Sequence, residues 1–311
     1  MKPRRLTSSR VVGAIKRAGR FGRVGHAGTL DPLADGVLPI AVGGATRMID
    51  FLHRQPKRYR AWVIFGVETD THDLEGAVVA RSLQVPGTSA LRAAAAAMVG
   101  TQSQRPPAYS AIKVDGQRAY DLARRGDAPK LAPRAIEIHS LDLIDTAWWS
   151  GEDLLAAGLR RMAGEHGNRG RLVAALDIGC GAGTYVRSLA RDLGRGLGTV
   201  ACLAGLRRTG VGPFAVGRAV PMDEAVDAIA GGYLEAIAYP ADEAVLPYPG
   251  AVLGPAAHRR FVNGNHVAWG AASGDLRVYG SDGAFLGMGE AVDGTGLQPR
   301  IVMPSQAGGA P

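Results

Sequence analysis

Cysteine is scarce in this chain: only Cys180 and Cys202 occur among 311 residues. They form no CxxC pair and fall into no metal-ligand spacing with histidine, so a disulfide framework and a cysteine-built zinc site are excluded. A reduced, cytoplasmic setting is the expectation. Aromatics make up only 6% of the residues, so the core must be mainly aliphatic. No run of about eighteen apolar residues exists, which excludes a membrane-spanning helix. The first residues, Met1 to Arg10, are basic and polar and lack the apolar stretch of a signal peptide. Acid is also in short supply: 28 Asp and Glu face 36 Lys and Arg, for a net charge of +8. Such an excess suits a polyanionic partner, through phosphate contacts and electrostatic steering.

What is present is an ordinary apolar content of 46%, with 44 glycines and 18 prolines. The length suits one large domain and a small one, with many loops. Ser8-Ser9 before Val11, Val12 and Ile15 predicts a capped amphipathic helix. Residues 21 to 46 form a long glycine-punctuated segment whose apolar residues argue against disorder. Tyr59 to Phe65 has the aromatic and β-branched content of a strand, with Ala77 to Ala80 as its short partner. Ser89 to Val99 reads as an alanine-rich helix stopped by Gly100. Gln104 to Gly116 reads as loop and turn, and Ala119 to Arg125 as a short basic helix. Ile136 to Leu143 and Arg171 to Ile178 read as strands, and Thr184 to Leu193 as a helix. Trp148 to Gly170 reads as an insertion. Pro and Gly cluster between Leu246 and Pro255, as in a linker. Beyond it, Leu276 to Tyr279, Ala284 to Met288 and Arg300 to Met303 read as short strands, with a turn at Ser281-Asp282-Gly283. The predicted division is a catalytic domain over 1–245, a β-rich domain over 250–304 and a flexible tail over 305–311.

The stretch that carries chemistry is Gly25-His26-Ala27-Gly28-Thr29-Leu30-Asp31-Pro32-Leu33-Ala34-Asp35-Gly36-Val37-Leu38-Pro39. Asp31-Pro32 by itself reads as a turn, and so does Asp35-Gly36. Yet small and apolar residues surround the Asp31 carboxylate. A substrate can approach such a group closely with water excluded, and the group can act as a nucleophile.

This stretch resembles the signature of TruB-type pseudouridine synthases. The resemblance continues in the family's order through Lys57-Arg58-Tyr59-Arg60, Thr69-Asp70-Thr71-His72-Asp73 and Pro107-Ala108-Tyr109-Ser110-Ala111-Ile112-Lys113. Gly183-Thr184-Tyr185-Val186-Arg187, Leu206-Arg207-Arg208, Phe261-Val262-Asn263-Gly264 and Gly287-Met288-Gly289 complete it. It implies an α+β pseudouridine synthase fold, with a mixed, mostly antiparallel sheet and flanking helices. A small β-rich, PUA-like RNA-binding domain follows at the C-terminus. The implied activity is isomerisation of uridine to pseudouridine at position 55 in the T-loop of tRNA. The implied partner is the tRNA T-arm, with no membrane, no obligate protein partner and a monomeric enzyme.

The resemblance also implies roles. Asp31 matches the catalytic aspartate. Tyr59 matches the tyrosine that packs on the target base and is proposed to take the C5 proton, and Arg187 the arginine that pairs with the aspartate. Tyr185 and Leu206 match residues lining the uridine pocket, and His26 a histidine that contacts the T-loop. Asp73 and Lys113 match positions near the site. The chemistry is consistent with this set. Breaking N1–C1′ and joining C5 to C1′ gains no electrons or atoms, so no cofactor or metal is expected. A flipped base costs a few kcal/mol, and stacking on an aromatic ring returns about 1–3 kcal/mol. The carboxylate has three open routes: attack at C1′, attack at C6, or assistance to a glycal. Basic residues Arg17, Arg20, Arg23, Arg54, Lys57, Arg58, Arg60, Arg118, Arg124, Arg125, Arg207 and Arg208 interleave with the motifs and suggest an RNA track.

One segment points elsewhere. Leu176-Asp177-Ile178-Gly179-Cys180-Gly181-Ala182-Gly183-Thr184 looks like the nucleotide loop of an S-adenosylmethionine-dependent RNA methyltransferase, after a strand and before a helix. The ribose-binding acid expected about twenty residues on is absent, since Asp192 lies too early. A non-catalytic RNA-binding module explains the charge but not the Asp31 loop. The family also has a strand ahead of the Lys-Pro seen here as Lys2-Pro3. The resemblance therefore implies a missing strand or a start upstream of Met1, and an insertion at 148–170.

Overall fold

The computed structural model describes the chain except residues 111, 115, 128, 130, 151, 154–169, 271–272, 293–295 and 305–311, and except the side chains of Lys113, Arg118, Asp121 and Arg124. The expected tail, and most of the expected insertion over 148–170, therefore lie outside the described residues.

Helix α1 (Ser8–Ala18) buries Val11 and Ile15 on one face. Its cap is Thr7, whose hydroxyl accepts the Arg10 N–H at 3.2 Å. Ser8, expected to cap, instead closes on the motif loop: its Oγ accepts the Leu30 N–H at 2.9 Å and donates to the Leu30 carbonyl at 3.1 Å. The segment expected as a loop over 21–46 carries three short strands, β1 (Val24–His26), β2 (Asp35–Gly36) and β3 (Ile40–Val42). Helix α2 (Ile49–Arg54) follows, then β4 (Lys57–Phe65), β5 (Val67–Thr69) and β6 (Val78–Arg81). Helix α3 (Thr88–Ala97) ends near Gly100, which takes φ +99 and starts β7 (Gly100–Gln104). Then come β8 (Arg134–Trp149), β9 (Arg171–Cys180), helix α4 (Val186–Gly196) and β10 (Ala201–Val211). The C-terminal part holds β11 (Gly250–Leu253), helix α5 (Pro255–Val262), β12 (Val267–Ala268), β13 (Gly274–Gly280), β14 (Phe285–Val292) and β15 (Gly296–Val302).

The chain divides into two compact units. The first comprises Met1–Asp31, Val37–Gln55 and Val211–Pro311. Here β1 and β3 pair antiparallel, His26 opposite Ile40. The C-terminal strands form one sheet in the order β11-β13-β14-β15-β12, closed by α5, whose Phe261 is fully buried against Leu276, Val278 and Leu297. Strand β11 lies inside the expected linker and runs parallel to β13. A second cluster packs Ala27, Met48 and Phe51 on Val245 and Met288.

The second unit comprises Pro32–Gly36 and Pro56–Gly210. Its main sheet runs β10-β4-β9-β8-β7. Strand β9 is antiparallel to both neighbours, with Ile178 opposite Tyr59 and Asp177 opposite Arg60. The partner expected for Tyr59 to Phe65 is corrected: β6 pairs instead with β5, and the neighbours of β4 are β9 and β10. The methyltransferase reading also fails here. A nucleotide loop of that kind needs a parallel βαβ crossover, whereas the strand before Gly179-Cys180-Gly181 is antiparallel on both sides. Asp177 there is occupied by Arg60, which donates to its two carboxylate oxygens at 2.7 Å each. Among the described residues no helix is long and apolar enough to cross a membrane.

Strand β2 pairs parallel with β10, Asp35 opposite Arg207 and Gly36 opposite Arg208. Gly36 takes φ +111, and a Cβ there would overlap the Arg208 carbonyl oxygen. Backbone cannot yield as a flexible side chain can, and an L side chain resists that φ. Gly36→Ala should therefore cost at least about 2 kcal/mol in urea unfolding. A variant as stable as wild type would show that the bridge yields freely.

Candidate active site

The expected site residues divide between the units, His26 and Asp31 in the first and Tyr59, Asp73, Tyr185, Arg187 and Leu206 in the second. His26 is half-buried at the end of β1. Gly28 takes φ +91 in the loop that follows. Leu30 is buried and held by Ser8, and Asp31 beside it is half-buried. The side chain of Lys113 lies outside the described residues; its backbone opens a two-residue strand paired with Gln117–Arg118.

In the second unit, Arg187 sits in the first turn of α4 and is 6% exposed. A cation at that end opposes the helix dipole, so its place depends on partners. Its Nη1 donates to the Thr71 carbonyl at 3.1 Å and its Nη2 to the Tyr109 carbonyl at 2.9 Å. Its Nε lies 3.7 Å from the Asp73 carboxylate. Asp73, 4% exposed, accepts from the Thr71 hydroxyl at 2.6 Å and the Glu75 N–H at 3.0 Å. The structure thus brings Asp73 and Arg187 together as a buried ion pair woven into the turn between β5 and β6.

Helix α4 also packs against β4, the strand of Tyr59. Tyr59 is half-buried, and its hydroxyl bonds to the Arg208 guanidinium. Burial pushes Arg208 below the ordinary guanidinium range, and the bond to Tyr59 offsets part of that. Lys57, two residues before Tyr59, is pushed down to about 8 by burial first and by Arg208 second. Leu206, on the same strand as Arg208, is 6% exposed. Tyr185 is the cap residue of α4, with Gln104 and Arg134 reaching the turn before it.

The basic track expected from the sequence needs correction. Arg208 is 1% exposed and Lys57 8% exposed; buried in the fold, neither offers a phosphate contact. Arg207 is committed to Asp35 through Nε–Oδ1 at 2.6 Å, and Arg60 to Asp177. Asp35, expected as a plain turn residue, is a buried carboxylate in β2. No local pattern signals these pairings, because the partners lie far apart in sequence.

His72 is a further residue that its motif position did not explain. It takes φ +60, and its backbone N–H and carbonyl bond to Thr69 and Leu203. Its Nδ1 is buried without a hydrogen-bond partner among the described residues. Burial pushes its pKa down to about 3, with Arg191, Arg187 and Arg195 adding to the shift. Among the described residues no group of three His, Cys, Asp or Glu side chains is placed to hold a metal ion.

Comparison with known proteins gives the family of the chain. Residues 16–186 match the model for the N-terminal domain of the TruB family pseudouridylate synthases. Residues 187–246 match a tRNA pseudouridylate synthase B C-terminal domain, and 249–303 a pseudouridine synthase II TruB C-terminal domain. A protein named tRNA pseudouridine synthase B from Acaryochloris marina is 38% identical over 98% of this chain and 97% of its own length. One of the same name from Rhodopseudomonas palustris is 46% identical over 72% of this chain and 55% of its own length. A chain from an H/ACA RNP bound to a substrate RNA containing 2′-deoxyuridine shares the fold. Its TM-score is 0.70 at 21% identity, over 98% of this chain and 84% of that one.

Two measurements test this wiring. Asp73→Ala strands the buried Arg187 charge and should lower unfolding stability by about 3 kcal/mol; a loss within about 0.5 kcal/mol would show that the two carbonyls suffice. For His72, the folded pKa of about 3 lies below the ordinary 6.5. The unfolded chain therefore binds a proton that the folded chain refuses, and stability is lost as pH falls from 6.5 toward 3, by about 1.4 kcal/mol per pH unit at most. His72→Asn, which tolerates a positive φ, should flatten the stability–pH curve in that window. Superimposable slopes for variant and wild type would refute the assignment.

Proposed function

The chain belongs to the TruB family of pseudouridylate synthases, and on that premise we propose that it isomerises uridine 55 in the T-loop of tRNA to pseudouridine, with Asp31 as the catalytic carboxylate. The observation that carries the reading is the wiring of Arg187. A guanidinium fixed by two backbone carbonyls and a buried carboxylate is preorganised and needs no rearrangement when charge develops on a bound nucleotide. The family resemblance gives it the role of the arginine that pairs with the catalytic aspartate. Tyr59 supplies a ring for the flipped base and a hydroxyl to take the C5 proton. Tyr185 and Leu206 line the uridine pocket, His26 contacts the T-loop, and Asp73 and Lys113 support the site.

The reaction conserves its atoms: N1–C1′ breaks, C5–C1′ forms, C5 gives up a proton and N1 gains one. This chemistry requires no cofactor. Residues 250–304 serve as the PUA-like RNA-binding domain and 1–245 as the catalytic domain, in a monomer that acts on the T-arm without an obligate protein partner. Surface arginines supply the phosphate contacts, so affinity should be salt-dependent.

The test is pseudouridine mapping on an unmodified tRNA transcript. Wild type should convert the T-loop uridine in the presence of EDTA and without S-adenosylmethionine. Asp31→Asn keeps size and shape but loses the charge, and should slow conversion by about a hundredfold or more with tRNA affinity retained. Substantial conversion by a well-folded Asp31→Asn protein would sink the assignment of Asp31. Conversion confined to another tRNA position would sink the target.

A further inference from the structure

Tyr185 is held from outside its own helix by Gln104 and Arg134, two residues outside the motif segments quoted above. Gln104, at the end of β7, is 2% exposed. Its side-chain amide grips the Tyr185 backbone on both sides, donating to the carbonyl at 3.1 Å and accepting the N–H at 2.8 Å. A bidentate pair of that kind fixes orientation as well as position. Arg134, at the start of β8, is the residue directly opposite Gln104 in the β7–β8 ladder. Its Nη2 donates to the Gly183 carbonyl at 2.6 Å, and its guanidinium carbon lies 5.1 Å from the centre of the Tyr185 ring. Gly183 itself takes φ +83. One rung of the sheet thus holds the turn and lies against one face of the ring. The residue just after β7 continues the docking, since the Arg105 carbonyl accepts from Ser188 at 2.9 Å and from Arg191 at 3.1 Å.

We propose that the Gln104–Arg134 rung is a positioning device for Tyr185: Gln104 sets the backbone of the α4 start, and Arg134 pins the ring so that its opposite face receives the target uracil. This rests on the reading of Tyr185 as a wall of the uridine pocket. The rung acts through Tyr185 and touches neither the sugar nor the base. A ring fixed in advance loses little freedom when the base arrives, so the device favours the flipped state rather than overall tRNA affinity. It also assigns to Arg134 a role other than a phosphate contact, which is the ordinary expectation for an arginine in an RNA-binding protein.

The experiment compares Arg134→Met and Arg134→Lys with wild type, with folding checked by thermal melting. Single-turnover pseudouridylation of a tRNA transcript should slow tenfold or more in Arg134→Met, while the tRNA Kd changes less than threefold and its salt slope stays unchanged. Arg134→Lys keeps the charge but lacks the flat guanidinium, so it should be as slow as Arg134→Met. In a Tyr185→Leu background the Arg134→Met change should have no further effect on the rate. The opposite pattern overturns the proposal: a weaker Kd with the salt slope reduced by about one, activity restored by lysine, and effects that add to Tyr185→Leu. With ring-labelled tyrosine, the NMR signal lost in Tyr185→Leu should shift in Arg134→Met. That readout needs no turnover. An inactive wild type with a shifted signal would defeat the uridine reading alone, and an unmoved signal would defeat the rung.

Discussion

Two residue pairs in parallel register, Asp35 with Arg207 and Gly36 with Arg208, set the constraint on which the second unit depends. They anchor the segment Pro32–Gly36, which follows Asp31 in the chain, onto a strand of the main sheet. The anchor uses charge at one position and absence of a side chain at the next. Arg207 meets the Asp35 carboxylate, while the Arg208 backbone occupies the space where a Cβ of Gly36 would lie. The Arg208 side chain then turns to the Tyr59 hydroxyl. A single dipeptide on β10 therefore ties down the motif loop and orients the residue proposed to stack on the base. Displacing that strand would disturb both at once.

The arginines of this unit are spent on internal wiring. Arg187, Arg191, Arg207 and Arg208 engage carbonyls, carboxylates or a phenol. Each guanidinium has five donors in a fixed plane, which suits it to bridging loop carbonyls that helices and sheets leave unpaired. The net charge of +8 thus overstates the cation available to a nucleic acid, because part of it is buried and neutralised in place. Burial is costly for each such group, as the lowered pKa of Lys57 shows. The cost is borne where rigid geometry is needed, which is the usual signature of a functional site.

Backbone carbonyls do much of the positioning. Thr71 and Tyr109 hold Arg187, Gly183 holds Arg134, and Arg105 holds Ser188 and Arg191. Such acceptors belong to the main chain and survive most side-chain substitutions. The turn between β5 and β6 is organised the same way, with Asp73 satisfied locally by Thr71 and Glu75 before it meets Arg187. His72, carried at a positive φ in that turn, stays neutral because burial first, and three arginines after it, oppose its charge.

Sequence alone determined the family, the motif loop around Asp31, the strand at Tyr59, the helix after Tyr185 and the β-rich C-terminal part. All of these are written in local order: alternation, capping, glycine placement and an ordered set of short motifs. Tertiary structure decided the rest. Ser8 looked like a helix cap and became the clamp on Leu30. Asp35-Gly36 looked like a turn and became a strand. The 246–255 linker supplied a strand to the C-terminal sheet, and Ala77 to Ala80 found β5 instead of β4. The pairings Arg207–Asp35, Arg208–Tyr59 and Gln104–Tyr185 join residues 172, 149 and 81 positions apart. No local pattern encodes such partners, because the contacts exist only once the sheet has brought distant strands into register.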